Sequence, residues 1–346
     1  MYQKNRRELI QRLVAREPVE RSGFWLGVPH AETWEILNRY FGTSGYTELR
    51  DKLGDDVRWI CSQFAPGVYN DPSGRGMFDP GHGKFIHANT GPLSELNTVE
   101  EITAWHWPNP DYLDFSAPLR DLREAGDIYR LSGMWTCFFH TLCDLFGMED
   151  YFMKMLTDPD LVAAATDKVC EFYYEANERF YTAAGGEIDA LFIGNDLGSQ
   201  LNLMCGVEQM ERFFLPWLKR FADQAHRHGY QVFMHSCGAI YPLIEKIIAA
   251  GVDCLHPLQA RAVNMDAATL ARDFKGRIAF MGGIDSQGVL TNGTPEEVRA
   301  DVKRVRELLG PNLIISPSHE SILPNMPPEN IEAMALAAQE FAYGDF

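Results

Sequence analysis

The sequence predicts an α/β protein, a (β/α)8 TIM-type barrel with an N-terminal elaboration covering its mouth. Three observations predict it. From residue 127 onward, short apolar runs alternate with long amphipathic stretches, the pattern of a parallel sheet with helical crossovers. No GxGxxG follows a first strand and no GxxxxGK[ST] occurs, which disfavours dinucleotide and nucleotide-phosphate folds. Nearly every apolar run ends in residues able to bind or react, as barrel strands do at their catalytic face. The 346 residues fit one barrel domain. Within 1–346, residues 1–120 form an irregular part and 121–346 the regular barrel part.

The chain opens on a helical pattern, MYQKNRRELIQRLVAREP, followed by one strand at Gly23 to Gly27. The remainder of the first part is rich in Gly, Pro and aromatics, as in DPSGRGMFDPGHGKF from Asp71 to Phe85. A stretch of this kind is either a lid or a plain surface loop. The regular part holds the runs Ile128–Gly133, Ala190–Gly194, Gln231–Met234, Cys254–Leu258, Ile278–Met281 and Leu313–Ile315. Each is short enough for a buried parallel strand. Between them, Gln209 to His228 places Met210, Phe213, Trp217, Phe221 and Ala225 at helical spacing. Thr294-Pro295-Glu296-Glu297 supplies an N-cap, a proline at N1 and a capping-box glutamate. That helix buries Val298, Val302, Val305 and Leu309 and stops at Gly310. A last helix opens at Pro327-Pro328-Glu329.

Net charge is −17 and no basic face is visible, which speaks against nucleic acid and anionic membrane as partners. No run of about 18 apolar residues occurs, so no membrane span is expected. The N-terminal stretch has no apolar core of the secretory kind. Seven cysteines in scattered positions suggest a reducing cytoplasm rather than a disulfide framework. Most read as small buried apolar residues. Cys237 is the exception.

The strand ends carry the chemistry. They read Ser132-Gly133-Met134-Trp135, then Asn195-Asp196 with Gly198 and Gln200, then His235-Ser236-Cys237-Gly238, His256 to Gln259, Gly282-Gly283-Ile284-Asp285, and Ser318-His319-Glu320. In an extended segment, residues i and i+2 point to one side. His235 and Cys237 therefore face one point, and an imidazole with a thiolate suits a tetrahedral zinc ion. His319 is the best third metal ligand; Glu320, Asp196, Cys254 and His256 are reserves, although Cys254 fits its strand's core better. Asp196 and Glu320 are the catalytic candidates for proton handling. Trp135, Asn195, Gln200, His256, Gln259 and Asp285 are the candidate substrate contacts. The blander reading of His256 and Asp285 is that each caps a loop. Gly282-Gly283 suggests a tight turn or a close approach of backbone to a ligand.

The run HSCGAIYPLIEKIIAAGVDCLHPLQ, with MGGIDSQGVL, GTPEEV and SPSHESILPNMPPENI, resembles the uroporphyrinogen decarboxylase superfamily. ERSGFWLG, LGDDVRWI and GNDLGSQLNLM fit its usual layout more weakly. The likeness is nearer the cobalamin-linked methyltransferase branch than the decarboxylase proper. It implies a barrel with its site at the C-terminal mouth and zinc held by an H-x-C motif and a distant Cys. His235 and Cys237 match the first two ligands. The third position reads Pro317-Ser318-His319, where His319 can replace Cys chemically. The implied activity is zinc-dependent methyl transfer between a small O-, N- or S-methyl compound or a thiol and a corrinoid supplied by a partner protein. The alternative is a uroporphyrinogen decarboxylase-type lyase. Its Arg-rich substrate motif is missing, since Ser22 to His30 reads SGFWLGVPH. A substrate with eight carboxylates needs fixed cations, and Arg261 is the only obvious mouth-side cation in the second half. A non-catalytic tetrapyrrole- or corrinoid-binding barrel is the third possibility.

Overall fold

The computed structural model describes residues 5–79 and 90–340. The latter half of the Asp71 to Phe85 stretch lies outside them. Eight parallel strands form one sheet: β1 Gly23–Phe24, β2 Val57–Cys61, β3 Tyr129–Gly133, β4 Ala190–Gly194, β5 Gln231–His235, β6 Cys254–His256, β7 Ala279–Ile284 and β8 Leu313–Pro317. The order around the sheet is β1-β8-β7-β6-β5-β4-β3-β2, so the chain winds once round a nearly closed barrel. Gly194 stands level with His235, and His235 level with His256. That register fixes the height of the site.

β1 and β2 meet at a seam that no strand ladder closes. Asp56 closes it. Its N–H donates to the Phe24 carbonyl at 2.9 Å, and its carboxylate accepts the Phe24 N–H at 2.9 Å. The same carboxylate takes two bonds from the buried Arg21 guanidinium, at 2.7 and 2.8 Å.

Strand alternation builds two cores. Inward-facing Val57, Tyr129, Leu131, Phe192, Phe233, Cys254, Met281 and Ile314 plug the barrel with Trp25. Outward-facing residues such as Leu191, Val232, Leu255 and Phe280 join the layer of helices. On β5, Phe233 and His235 share the inner side. The interior is therefore apolar until its top layer.

Three strands run one to three residues beyond their predicted apolar runs, to His235, Ile284 and Pro317, whereas Cys254–His256 stops two residues before the expected Leu258. The first strand is shorter than expected: Gly27 turns out of it in a left-handed conformation, and Val28–Pro29 pairs instead with Ser321–Ile322. β2 is an addition to the expected set, and the elaboration leaves from its C-terminal end. Its described parts stack on the helix Pro159–Ala184, with Phe78 and Tyr69 against Phe172. The stretch expected as one helix over Gln209 to His228 contains a π-helical turn at Met210–Phe214. Pro216, two residues on, lacks the N–H that a regular α-helical ladder would use. The Thr294–Glu297 capping box is present. Gly310 ends that helix in an extended conformation, ahead of Pro311.

One surface pair carries a pH dependence. His226 Nε2 lies 2.8 Å from Asp253 Oδ2, just before β6. The hydrogen bond to Asp253 raises the His226 pKa, with partial burial opposing it and the Asp253 charge assisting. A raised folded pKa gives stability that is complete below the unfolded value, about 6.5, and lost as pH rises through the folded value. The pair is partly exposed to solvent, which screens it, so the effect stays below about 1 kcal/mol. Thermal melts of His226→Gln should show a flatter decline above that pH than the parent protein.

A candidate metal centre at the barrel mouth

β5 delivers the first two residues of the site. His235 closes the strand, and Cys237 continues its extended spacing. Their side chains meet, with Cys237 Sγ 3.5 Å from His235 Nε2. The next residue, Gly238, turns the chain at φ +90°, where a Cβ would sit 2.1 Å from the Gly198 carbonyl oxygen. No other residue fits that turn.

Neighbouring strand ends converge on this pair. From β4 comes Asp196, whose Oδ1 lies 3.1 Å from His235 Nε2 and accepts the Cys237 N–H at 2.8 Å. From β8 come His319 and Glu320. Ligand atoms of Cys237, His319 and Glu320 all lie within 4.8 Å of one another, as do those of Asp196, His235 and Cys237. Cys237 thus shares a group with each of the two expected histidines, although His235 and His319 share none among the described residues. Glu320 is more central than the sequence suggested. Its Oε2 lies 3.8 Å from His235 Nδ1 and 3.6 Å from His319 Nδ1. That oxygen is buried with no hydrogen-bond partner among the described residues. His319 Nδ1 accepts the Ser321 N–H at 3.1 Å, leaving Nε2 as its other nitrogen.

Burial of His235 and the closeness of its charged neighbours shift the titration of the cluster. Burial opposes charge on His235, yet its hydrogen bonds with Asp196 and Cys237 and the Glu320 charge outweigh it, and the pKa rises well above the usual value. Burial likewise works against ionised Asp196, but the bond to His235 and its charge hold the carboxyl below the carboxylate range. Burial pushes the Cys237 thiol up, and His235 offsets it only in part. Burial and then the neighbouring His235 keep His256 well below the ordinary histidine value.

A cleft of about 430 Å³ opens beside His319. Gln200, Gln259, Arg261 and Asp285 line it together with Ser286, Thr291 and Met326. Gln259 Oε1 accepts from Gln200 Nε2 at 2.8 Å and from the Gly238 N–H at 2.9 Å, linking the cleft to the Cys237 turn. Asp285 binds Arg261 at 2.8 Å and also caps its own turn through the Gln287 and Gly288 N–H groups. Trp135 lies over the cluster, its ring 5.4 Å from that of His235. The strand below leaves room for it: a Cβ on Gly194 would come within 1.8 Å of the indole.

Two expected substrate contacts sit beneath the open surface. Asn195 is fully buried, and its amide is used by the Phe139 N–H at 2.9 Å and the Thr136 carbonyl at 3.0 Å. It holds the loop after β3. His256 is fully buried under His235, and its ring bonds that histidine instead of capping a loop. Cys254 lies in the inner core, as expected of it. Gly282 answers a close backbone approach, since a Cβ there would meet the Pro257 carbonyl at 1.7 Å. The sequence reading missed Ser286, Thr291 and Met326; only the first follows a strand end closely enough to have been noticed.

A parallel barrel with imidazole, thiol and carboxylate groups gathered at its C-terminal mouth defines a class, the (β/α)8-barrel enzymes that work from their strand ends. Within that class, the chain belongs to the uroporphyrinogen decarboxylase (URO-D) family, whose profile matches residues 90–341. A curated relative, the methylcobamide:CoM methyltransferase MtbA of Methanosarcina mazei, is 25% identical over 195 residues. That match covers 56% of this chain and 54% of the relative, about half the length of each. Among solved structures, a methyltransferase from Methanosarcina mazei superposes with a TM-score of 0.70. It covers 97% of this chain and 99% of its own at 17% identity, a likeness of fold. Among the described residues, no helix is long and apolar enough to cross a membrane.

Proposed function

We propose that this chain is a zinc-dependent methyltransferase. It moves a methyl group between a small O-, N- or S-methyl compound or a thiol and a corrinoid carried by a partner protein. One observation carries the reading: the Cys237 thiol lies in one close group of metal-binding side chains with Asp196 and His235 and in another with His319 and Glu320. The donor set fits zinc, which takes imidazole, thiolate and carboxylate together. The buried, unpartnered Glu320 Oε2 fits it too, because such an oxygen is costly without a proton, a hydrogen bond or a cation. Zinc held there would supply Lewis acidity and lower the pKa of a bound thiol.

The remaining work belongs to the chain. His235, Cys237 and His319 are the ligands, with Glu320 either a further ligand or the group that takes a proton. Asp196 holds the Cys237 turn by accepting its backbone N–H. Gln200, Gln259 and Asp285 orient the substrate in the cleft, and Trp135 excludes water above the cluster. The curated relative is named as a methylcobamide:CoM methyltransferase, which supports methyl-transfer chemistry here. A decarboxylase acting on eight carboxylates is poorly supported. Among the described residues, Arg261 is the one arginine or lysine lining the cleft, and Asp285 already pairs with it.

Zinc analysis of the purified protein, with methylcobalamin and thiols or cob(I)alamin and methylated amines and alcohols, tests the reading. We expect stoichiometric zinc and a change in the corrinoid spectrum with at least one partner compound. Zinc-free protein that turns over uroporphyrinogen would overturn it.

A further inference from the structure

His256 has no part in the chemistry described so far, yet it touches the centre of it. Its Nδ1 lies 2.9 Å from His235 Nδ1. Two imidazole nitrogens at that distance share one proton, so one donates and the other accepts. The opposite nitrogen of His235, Nε2, faces Cys237 Sγ at 3.5 Å and Asp196 Oδ1 at 3.1 Å. A metal ligand must present a lone pair. If His235 is to offer Nε2, its proton must sit on Nδ1, and the atom in place to receive that bond is His256 Nδ1.

The surroundings of His256 suit a fixed acceptor. It is fully buried, and Trp25 and Phe192 hold its ring edge-on, with centroids at 5.2 and 5.5 Å. The backbone beside it is locked as well: the Ser236 N–H donates to the His256 carbonyl at 2.9 Å, and the two histidines are register partners on β5 and β6. As an acceptor at Nδ1, His256 carries its own proton on Nε2. That atom has no hydrogen-bond partner among the described residues, so no hydrogen bond there holds the ring in the other tautomer.

We propose that His256 is a positioning residue for the metal centre. It accepts the Nδ1 proton of His235 and so sets His235 to bind metal through Nε2, on the Cys237 side. Metal-bound histidines are commonly oriented by a carboxylate or a carbonyl on their second nitrogen; here a neutral imidazole fills that place. The inference rests on the zinc reading above.

The test uses three proteins: the parent, His256→Phe and His256→Gln. Zinc affinity is measured by competition with a chromophoric chelator, with circular dichroism as the check on folding. Phe keeps the ring packing and loses the acceptor, so affinity should fall on the order of 10–100-fold. Gln restores an acceptor and should recover part of the loss. A folded His256→Phe that binds zinc as tightly as the parent overturns the positioning role and leaves the zinc reading intact. A parent that binds no zinc overturns both. Long-range ¹H–¹⁵N spectra of the zinc-loaded parent give a second readout that does not depend on a variant. They should show His235 metal-bound at Nε2 and protonated at Nδ1. Metal bound to His235 through Nδ1, or to His256 itself, overturns the proposal.

Discussion

Serine at position 237 should strip the protein of its zinc and cut methyl transfer on the order of 10³-fold. That is the several kcal/mol that a Lewis-acid metal supplies to a transition state. The substitution is close in shape, and Cys237 is only partly buried, so the fold should survive. The hydroxyl is a poor zinc donor beside a thiolate. Cys237 also stands in two of the three ligand groups at the mouth, with Asp196 and His235 on one side and His319 and Glu320 on the other. Its loss therefore breaks the cluster in the middle, whereas loss of His319 removes one side. Metal analysis and single-turnover corrinoid spectra on Cys237→Ser check both effects. A folded variant that keeps its zinc and its rate would remove Cys237 from the centre.

Asp56→Ala should destabilise the barrel by about 3–5 kcal/mol, the usual cost of breaking a buried ion pair from one side. The carboxylate has no solvent exposure, and Arg21 very little. Removing it deprives the guanidinium of a two-pronged partner and leaves the Phe24 N–H without its acceptor. Urea midpoints measure the loss. In a double-mutant cycle, Arg21→Ala should cost much less in the Asp56→Ala background than alone, because the two residues share one interaction. Additive effects would mean that the seam is held by something else.

Strands whose apolar runs are unbroken are legible in the sequence, and Ala190–Gly194 matches to the residue. Val57–Cys61 is not, because it lies in the irregular first part of the chain, outside the regular alternation that marks the later strands. In the fold, Arg58 points outward to Asp51 and Asp55, while Trp59 joins the barrel interior beside Trp135 and Phe192. A strand with one charged and one aromatic face can be recognised only once its two sides are known. The pairing of His235 with Cys237 is legible because it needs nothing beyond the two-residue period of extended chain. The depths of Asn195 and His256 are not. Depth depends on how far a strand continues past its apolar run, and on the register of its neighbours. The centrality of Glu320 is hidden for a related reason. It follows from the short pairing of Ser321–Ile322 with Val28–Pro29, a contact between opposite ends of the chain.

The ligand cluster draws on β4, β5 and β8, and Cys237 and Glu320 are brought together from opposite ends of three intervening strand–helix units. No stretch of unfolded chain holds these groups at one point. An ion that binds them all binds the native state alone, and mass action then makes its concentration a variable of stability. Such an ion works as a clasp on the finished barrel. The melting temperature should climb with free zinc, and chelation should loosen the whole molecule as well as silence its mouth.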